Sequence, residues 1–181
     1  MLARFLQNGA VFTAFDTETT GLRSSTCRII EIGAVQFSLD GVHGRFDTLI
    51  CPETAIPADC TAVNHITDDM VRGKPPIRDV LPRFTEFLGS SIIVAHNAQF
   101  DMNFINAELE RNARPPLSNL VIDTLQLCRW AYPDAKKYSQ QAMAERMGIP
   151  VKNAHRAYDD AFVCGNIFLH CIRDTAALQK L

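Results

Sequence analysis

Apolar residues recur along the chain at two periods, and the change from one to the other predicts strands first and helices afterwards. Residues 10–16, AVFTAFD, and 28–39, RIIEIGAVQFSL, are β-prone runs; Asp40-Gly41 marks a turn, and a third run occupies 45–51. A three-strand meander follows. From 78 to 88 the period lengthens, with Val80, Leu81, Phe84, Phe87 and Leu88 at helical spacing. IIVA at 92–95 reads as a buried strand, and helices are expected over 98–112, 124–131, 138–147 and 156–173. Gly148-Ile149-Pro150 puts a glycine and a proline where helix C-terminal signals fall. Helices alternating with a strand after a meander predict an α/β domain, a mixed central sheet flanked by helices.

The chain has 181 residues, 47% apolar and 21% charged, which suits one domain spanning 1–181. A domain of this size buries roughly two-thirds of the surface its unfolded chain exposes. MLARFLQNGA lacks the apolar run of a signal peptide, and no segment approaches the roughly 20 apolar residues of a membrane span. A soluble, cytoplasmic protein without a membrane partner is expected. Cys27, Cys51, Cys60, Cys128, Cys164 and Cys171 form no CxxC or Cys/His cluster, so they read as reduced packing residues. A net charge of −2 and a pI near 6.2 exclude the bulk basicity of proteins that coat nucleic acid. Any contact with nucleic acid is local, and a cleft of carboxylates holding cations would itself lower the net charge. Composition alone does not decide between these.

Several carboxylates stand where a core is expected. Asp16 and Glu18 end the first strand, and alternation puts Phe12, Ala14, Asp16 and, if the strand persists, Glu18 on one face. An isolated DxE before a turn is commonly just solvated. Asp101 opens a helix whose same-side residues are Phe104, Ile105 and Leu109, so it must cap the first turn, sit at a cleft mouth or meet a cation. Asp160 repeats the pattern, followed on its own side by Cys164, Ile167, Phe168 and Cys171. Asp159 points about 100° away and reads as its solvated partner, though periodicity alone allows the two to exchange roles. His155 stands at the start of the same helix, and alone it would be read as structural. Acids converging from three segments need cations, and all-oxygen ligands favour Mg²⁺ or Mn²⁺ over zinc.

These residues fall into three blocks: Phe15-Asp16-Thr17-Glu18-Thr19-Thr20-Gly21-Leu22, His96-Asn97-Ala98-Gln99-Phe100-Asp101 and His155-Arg156-Ala157-Tyr158-Asp159-Asp160-Ala161. In order and spacing they resemble the DEDD exonucleases of the histidine subclass, typified by the proofreading epsilon subunit of the bacterial replicative polymerase. The resemblance spans about residues 10–170, including IIEIGAV and Val121-Ile122-Asp123-Thr124-Leu125. It implies a ribonuclease H-like fold and two divalent cations, Mg²⁺ or Mn²⁺. Asp16, Glu18 and Asp160 would hold one and Asp16 and Asp101 the other, which selects Asp160 over Asp159. In the two-metal scheme the ions lie about 3.5–4 Å apart and serve in-line attack on the terminal phosphodiester. His155 is then the general base, since imidazoles titrate near neutral pH.

The resemblance further implies that Thr19 and Leu22 contact the last base and sugar, with Asn64, Asn97 and Phe100 as further substrate contacts. Phe100 is a stacking candidate that also falls near a core stripe. Val63-Asn64-His65-Ile66-Thr67 departs from the family's His-Gly-Ile-Thr, with Asn64 at the histidine position and His65 at the glycine. The function expected is a 3′→5′ exonuclease on the 3′ end of DNA, single-stranded DNA favoured, in proofreading or repair. The alternatives are RNA trimming and a polymerase-binding module with dispensable catalysis. The chain after Asp160 finishes a helix rather than forming the epsilon subunit's polymerase-binding tail, so a stand-alone nuclease or an excised domain is expected, with a DNA polymerase as the candidate partner.

Overall fold

A computed structural model of the chain describes residues 9–178. Most of the N-terminal stretch read for a signal peptide, residues 1–8, lies outside the described residues, as do 179–181. The first run forms β1 (Phe12–Thr19), which continues past Asp16 to include Glu18. It pairs antiparallel with β2 (Ile29–Ser38), and β2 pairs antiparallel with β3 (Gly41–Leu49) to complete the meander. β4 (Ile92–Ala95) and β5 (Val121–Asp123) join on the far side of β1 as parallel strands. The strand order β3-β2-β1-β4-β5, with helices on both faces, is the ribonuclease H-like arrangement.

Between β3 and β4 lie α1 (Ala58–Asn64), α2 (Asp68–Val71) and α3 (Ile77–Leu88); α4 (Gln99–Arg111) separates β4 from β5. After β5 come α5 (Thr124–Ala131), α6 (Gln140–Met147) and α7 (Ala157–Leu178). The expected helices all form, 124–131 with both ends as expected and the others with ends shifted. α6 begins at Gln140 because Ser139 is its N-cap, its hydroxyl accepting from Ala142 N, and α7 runs past 173 to Leu178. Periodicity did not predict α1, α2 or β5, of 7, 4 and 3 residues, which are too short for a repeat to show. β3 begins at Gly41 rather than 45; it is a largely exposed edge strand, so no apolar run marks its start.

Alternation along β1 and β2 divides the core. Phe15, Ile32 and Ala34 face α3 and α4, meeting Leu81, Phe84, Phe104 and Leu109. Phe12, Ala14, Val35 and Phe37 face α7, meeting Cys164 and Phe168, and the Phe12 and Phe168 ring centroids are 4.8 Å apart. α5 and α6 pack on the outside of α7 through Cys128, Met143, Val163 and Ile167. Gly33 lets the start of α7 approach the sheet, since a Cβ there would lie 2.0 Å from Tyr158 N. That approach brings Asp160 to the carboxyl end of β1. All six cysteines are free, as expected of packing residues. Among the described residues no helix is long and apolar enough to cross a membrane.

Candidate active site

The carboxyl ends of the parallel strands β1 and β4, where open α/β sheets present ligand crevices, border a cleft of about 280 Å³. Asp16, Glu18, Asp101, His155 and Asp160 all line it. Asp16 and Glu18 come from β1, whose register slips between Glu18 and Thr19; such a bulge re-aims side chains at a strand end. Asp101 is buried on the first turn of α4 and does not cap it, Ala98 being an N-cap without a side-chain bond. Its Oδ1 instead accepts from Thr17 N at 3.0 Å and Thr17 Oγ1 at 2.7 Å, which ties the helix to β1. Asp160, also buried, accepts from Gln140 Nε2 at 3.0 Å and from His155 N at 2.8 Å. Asp159 lies outside the cleft, accepting from Asn153 Nδ2 at 2.7 Å. His155 precedes α7 rather than opening it, on left-handed backbone with φ 62°, and its side chain is exposed.

Among the described residues no lysine or arginine lines the cleft, so the acids repel one another with no internal cation. Burial, then the charges of Asp101, Glu18 and Asp160, hold the Asp16 carboxyl well above the usual carboxylate range. Burial, with Asp160 and Glu31 adding, raises Glu18 to about 8 even though the nearby Asn64 side chain acts in the opposite direction. Asp101 is raised to about 7 by burial against the opposing Thr17 hydrogen bonds, and burial raises Asp160 as well. Carboxyl oxygens of Glu18 and Asp160 and a ring nitrogen of His155 lie within 4.8 Å of one another. A divalent cation fits this donor set: it supplies the charge the acids lack, and oxygen-rich sites select hard ions.

The expected substrate residues occupy different surroundings. Asn97 and Phe100 line the cleft, with Phe100 tilted against Phe104 at 4.9 Å, so it serves core and cleft wall at once. Leu22 is 84% exposed, while Thr19 is buried and its hydroxyl donates to Gly21 O at 2.7 Å. Asn64 is buried, accepts from Ile66 N at 3.0 Å and neighbours Glu18. His65, at the family's glycine position, caps α1 in the left-handed region with φ 59°, a conformation that favours glycine. Among the described residues five non-glycine residues have positive φ, and three of them, His65, Asn97 and His155, flank the site.

Residues to which the sequence analysis gave no role brace this set. Thr17 and Gln140 hold the acids as described. Asp123 caps α5, and its Oδ1 also accepts from Asn97 N at 3.0 Å, which fixes the turn after β4. Burial pushes the His96 imidazole below its usual range, so the neutral ring donates from Nε2 to the Tyr138 carbonyl at 2.8 Å while Nδ1 meets Thr124 Oγ1. Only the N-cap position of Asp123, between a short apolar run and a helix, was visible in sequence.

Comparison with known proteins agrees with this geometry. Residues 13–168 match the exonuclease family RNase_T. The chain is 48% identical over 159 residues to the DNA polymerase III subunit epsilon of Treponema pallidum, covering 87% of this chain and 74% of that one. It is 45% identical over 150 residues to the PolC-type DNA polymerase III of Clostridium perfringens, covering 83% of this chain but only 10% of that protein. Among solved structures, exonuclease X in complex with 5′ overhanging duplex DNA superposes with a TM-score of 0.74 at 29% identity, over 91% of this chain and 93% of that one. E. coli exonuclease I in complex with a dT13 oligonucleotide shares the fold, with a TM-score of 0.78 at 18% identity over 90% and 40% of the two chains. A family match over most of the length and a relative at nearly half identity place this chain in the exonuclease family.

Proposed function

We propose that this chain, as one domain spanning 1–181, removes mononucleotides one at a time from the 3′ end of DNA, single-stranded ends being favoured, with two divalent cations, Mg²⁺ or Mn²⁺. The observation that carries the reading is the convergence of Asp16, Glu18, Asp101 and Asp160 in one cleft, with all four carboxyls raised by burial and those of Asp16 and Glu18 also by the acids beside them. Asp16, Glu18 and Asp160 would hold one cation, and Asp16 with Asp101 the other. Bound there, the cations supply Lewis acidity and neutralise charge on the phosphate during hydrolysis. His155, exposed at the cleft, takes the proton of the attacking water as its oxygen bonds to phosphorus. The bond from phosphorus to the penultimate nucleotide's 3′ oxygen breaks and that oxygen takes up a proton from solvent, leaving a 5′-mononucleotide and a strand with a new 3′ hydroxyl. Asn97 and Phe100 form the wall against which the terminal nucleotide lies, Phe100 offering a face tolerant of any base. Thr19, Leu22 and Asn64 complete the expected contacts.

Similarity to an epsilon subunit and to PolC-type polymerases supports work beside a replicative DNA polymerase, in proofreading or repair. One observation favours a second role for His155: its ring nitrogen is close enough to Glu18 and Asp160 to join them as a cation ligand. The reaction itself is tested with DNA labelled on its last nucleotide. The label should leave as 5′-mononucleotide in the first turnover with Mg²⁺ or Mn²⁺ and stay in place with chelator; label first released in longer fragments would contradict the proposal.

A further inference from the structure

Glu31 is a buried carboxylate at the site to which the reaction gives no task. It lies on β2 directly across from Glu18, is 1% exposed, and adds to the repulsion on Asp16 and Glu18. A further buried acid at this end of the sheet is a cost unless its own partners give it a role. Those partners are Arg156 and Ala157. Arg156 Nη2 donates to Oε1 at 2.5 Å, Arg156 Nε stands 3.2 Å from both oxygens, and Ala157 N donates to Oε2 at 2.9 Å. With both oxygens engaged by these donors, Glu31 has no free face for a cation.

Arg156 and Ala157 are the two residues after His155, and on the histidine itself the backbone N–H donates to Asp160 Oδ2 at 2.8 Å. Packing does not hold the exposed His155 side chain; its backbone, in the left-handed region, is pinned on both flanks. Gly33, two residues along β2 from Glu31, lets Ala157 and Tyr158 sit directly on the strand, which leaves this turn little slack.

We propose that Glu31 and Arg156 are positioning residues, a clamp anchored on the buried Glu31 carboxylate that fixes the turn from which His155 is presented to the cleft. The proposal rests on His155 acting as general base. Removing one partner of a merely structural buried ion pair is itself destabilising, because it strands the other charge, so the test must separate positioning from folding.

Glu31→Gln keeps the volume and an acceptor for Ala157 N, and Arg156→Lys keeps the charge but loses the fork. In each, kcat on single-stranded DNA should fall about 10- to 100-fold, the usual range for groups that orient a reacting side chain. KM and the calorimetric Mn²⁺ affinity should stay within about twofold of the parent. In a His155→Ala background the same substitutions should add no further loss of kcat, because the group they position is gone. In the Mn²⁺-loaded protein, amide exchange at His155 and Ala157 should speed up while Val163 to Phe168 in α7 stay protected.

Unchanged kcat, an equal loss in both backgrounds, lost Mn²⁺ binding, or loss of cooperative melting in both variants would overturn the clamp. The exchange arm needs no activity. If the parent protein leaves DNA intact, the proposed function fails while local exchange at His155 and Ala157 still decides whether the clamp exists.

Discussion

Thr17 shows what a single side chain contributes to this cleft. Its hydroxyl and backbone N–H converge on one oxygen of Asp101, so the carboxylate is aimed before any cation arrives. Thr17→Val removes the hydroxyl and keeps the shape; Mn²⁺ affinity measured by calorimetry should fall about tenfold, as loss of an orienting hydrogen bond does. His155→Ala separates the two roles open to the histidine. A base predicts a loss of kcat of about 100-fold or more with Mn²⁺ affinity within about twofold, whereas a ligand predicts parallel losses. At this scale the sequence is legible where chemistry conflicts with patterning: Asp101 and Asp160 stand out because a carboxylate on an apolar helix face demands an explanation. Thr17 and Gln140 do not, because polar residues near strand and helix ends are ordinary. Their partners, Asp101 and Asp160, lie 84 and 20 residues away.

Among the elements, α7 does the most to assemble the site. It carries Asp160, covers β1 and β2 through Cys164 and Phe168, and begins where Gly33 admits it. Gly33→Ala would put a methyl 2.0 Å from Tyr158 N, against backbone that cannot swing aside as a long side chain could. Stability to urea should fall by about 3 kcal/mol, the upper range for overpacking, and Mn²⁺ binding should weaken as Asp160 shifts. An unchanged midpoint would contradict the close approach. The long elements could be read from period alone, because eight or more residues of alternation or helical spacing declare a face. α1, α2 and β5 could not, since four residues at α2 complete barely one turn and are set by the Thr67 cap and by Val71 packing on Ile30, Ile56 and Ile66.

For the molecule as a whole, the raised carboxyls couple stability to pH and to cations. Glu18 moves from 4.5 to about 8, so between those values the folded chain holds a proton that the unfolded chain has released. Its contribution to metal-free stability is therefore present below the unfolded value and lost as pH rises through the folded one, and Asp101, raised to about 7, acts in the same direction. A divalent cation binds the deprotonated acids and removes their repulsion. The gain in Tm on adding excess Mg²⁺ should consequently be larger at about pH 8.5 than at about pH 6. A gain independent of pH would mean that the cation binds elsewhere.

Digestion of 5′-labelled single-stranded DNA, beside matched RNA, with Mg²⁺ or Mn²⁺ and an Asp16→Ala control, tests the central claim most directly. The account predicts a ladder descending one nucleotide at a time, on DNA in preference to RNA, absent without metal and absent in the control. A labelled mononucleotide released at once, or shortening that survives Asp16→Ala, would contradict it.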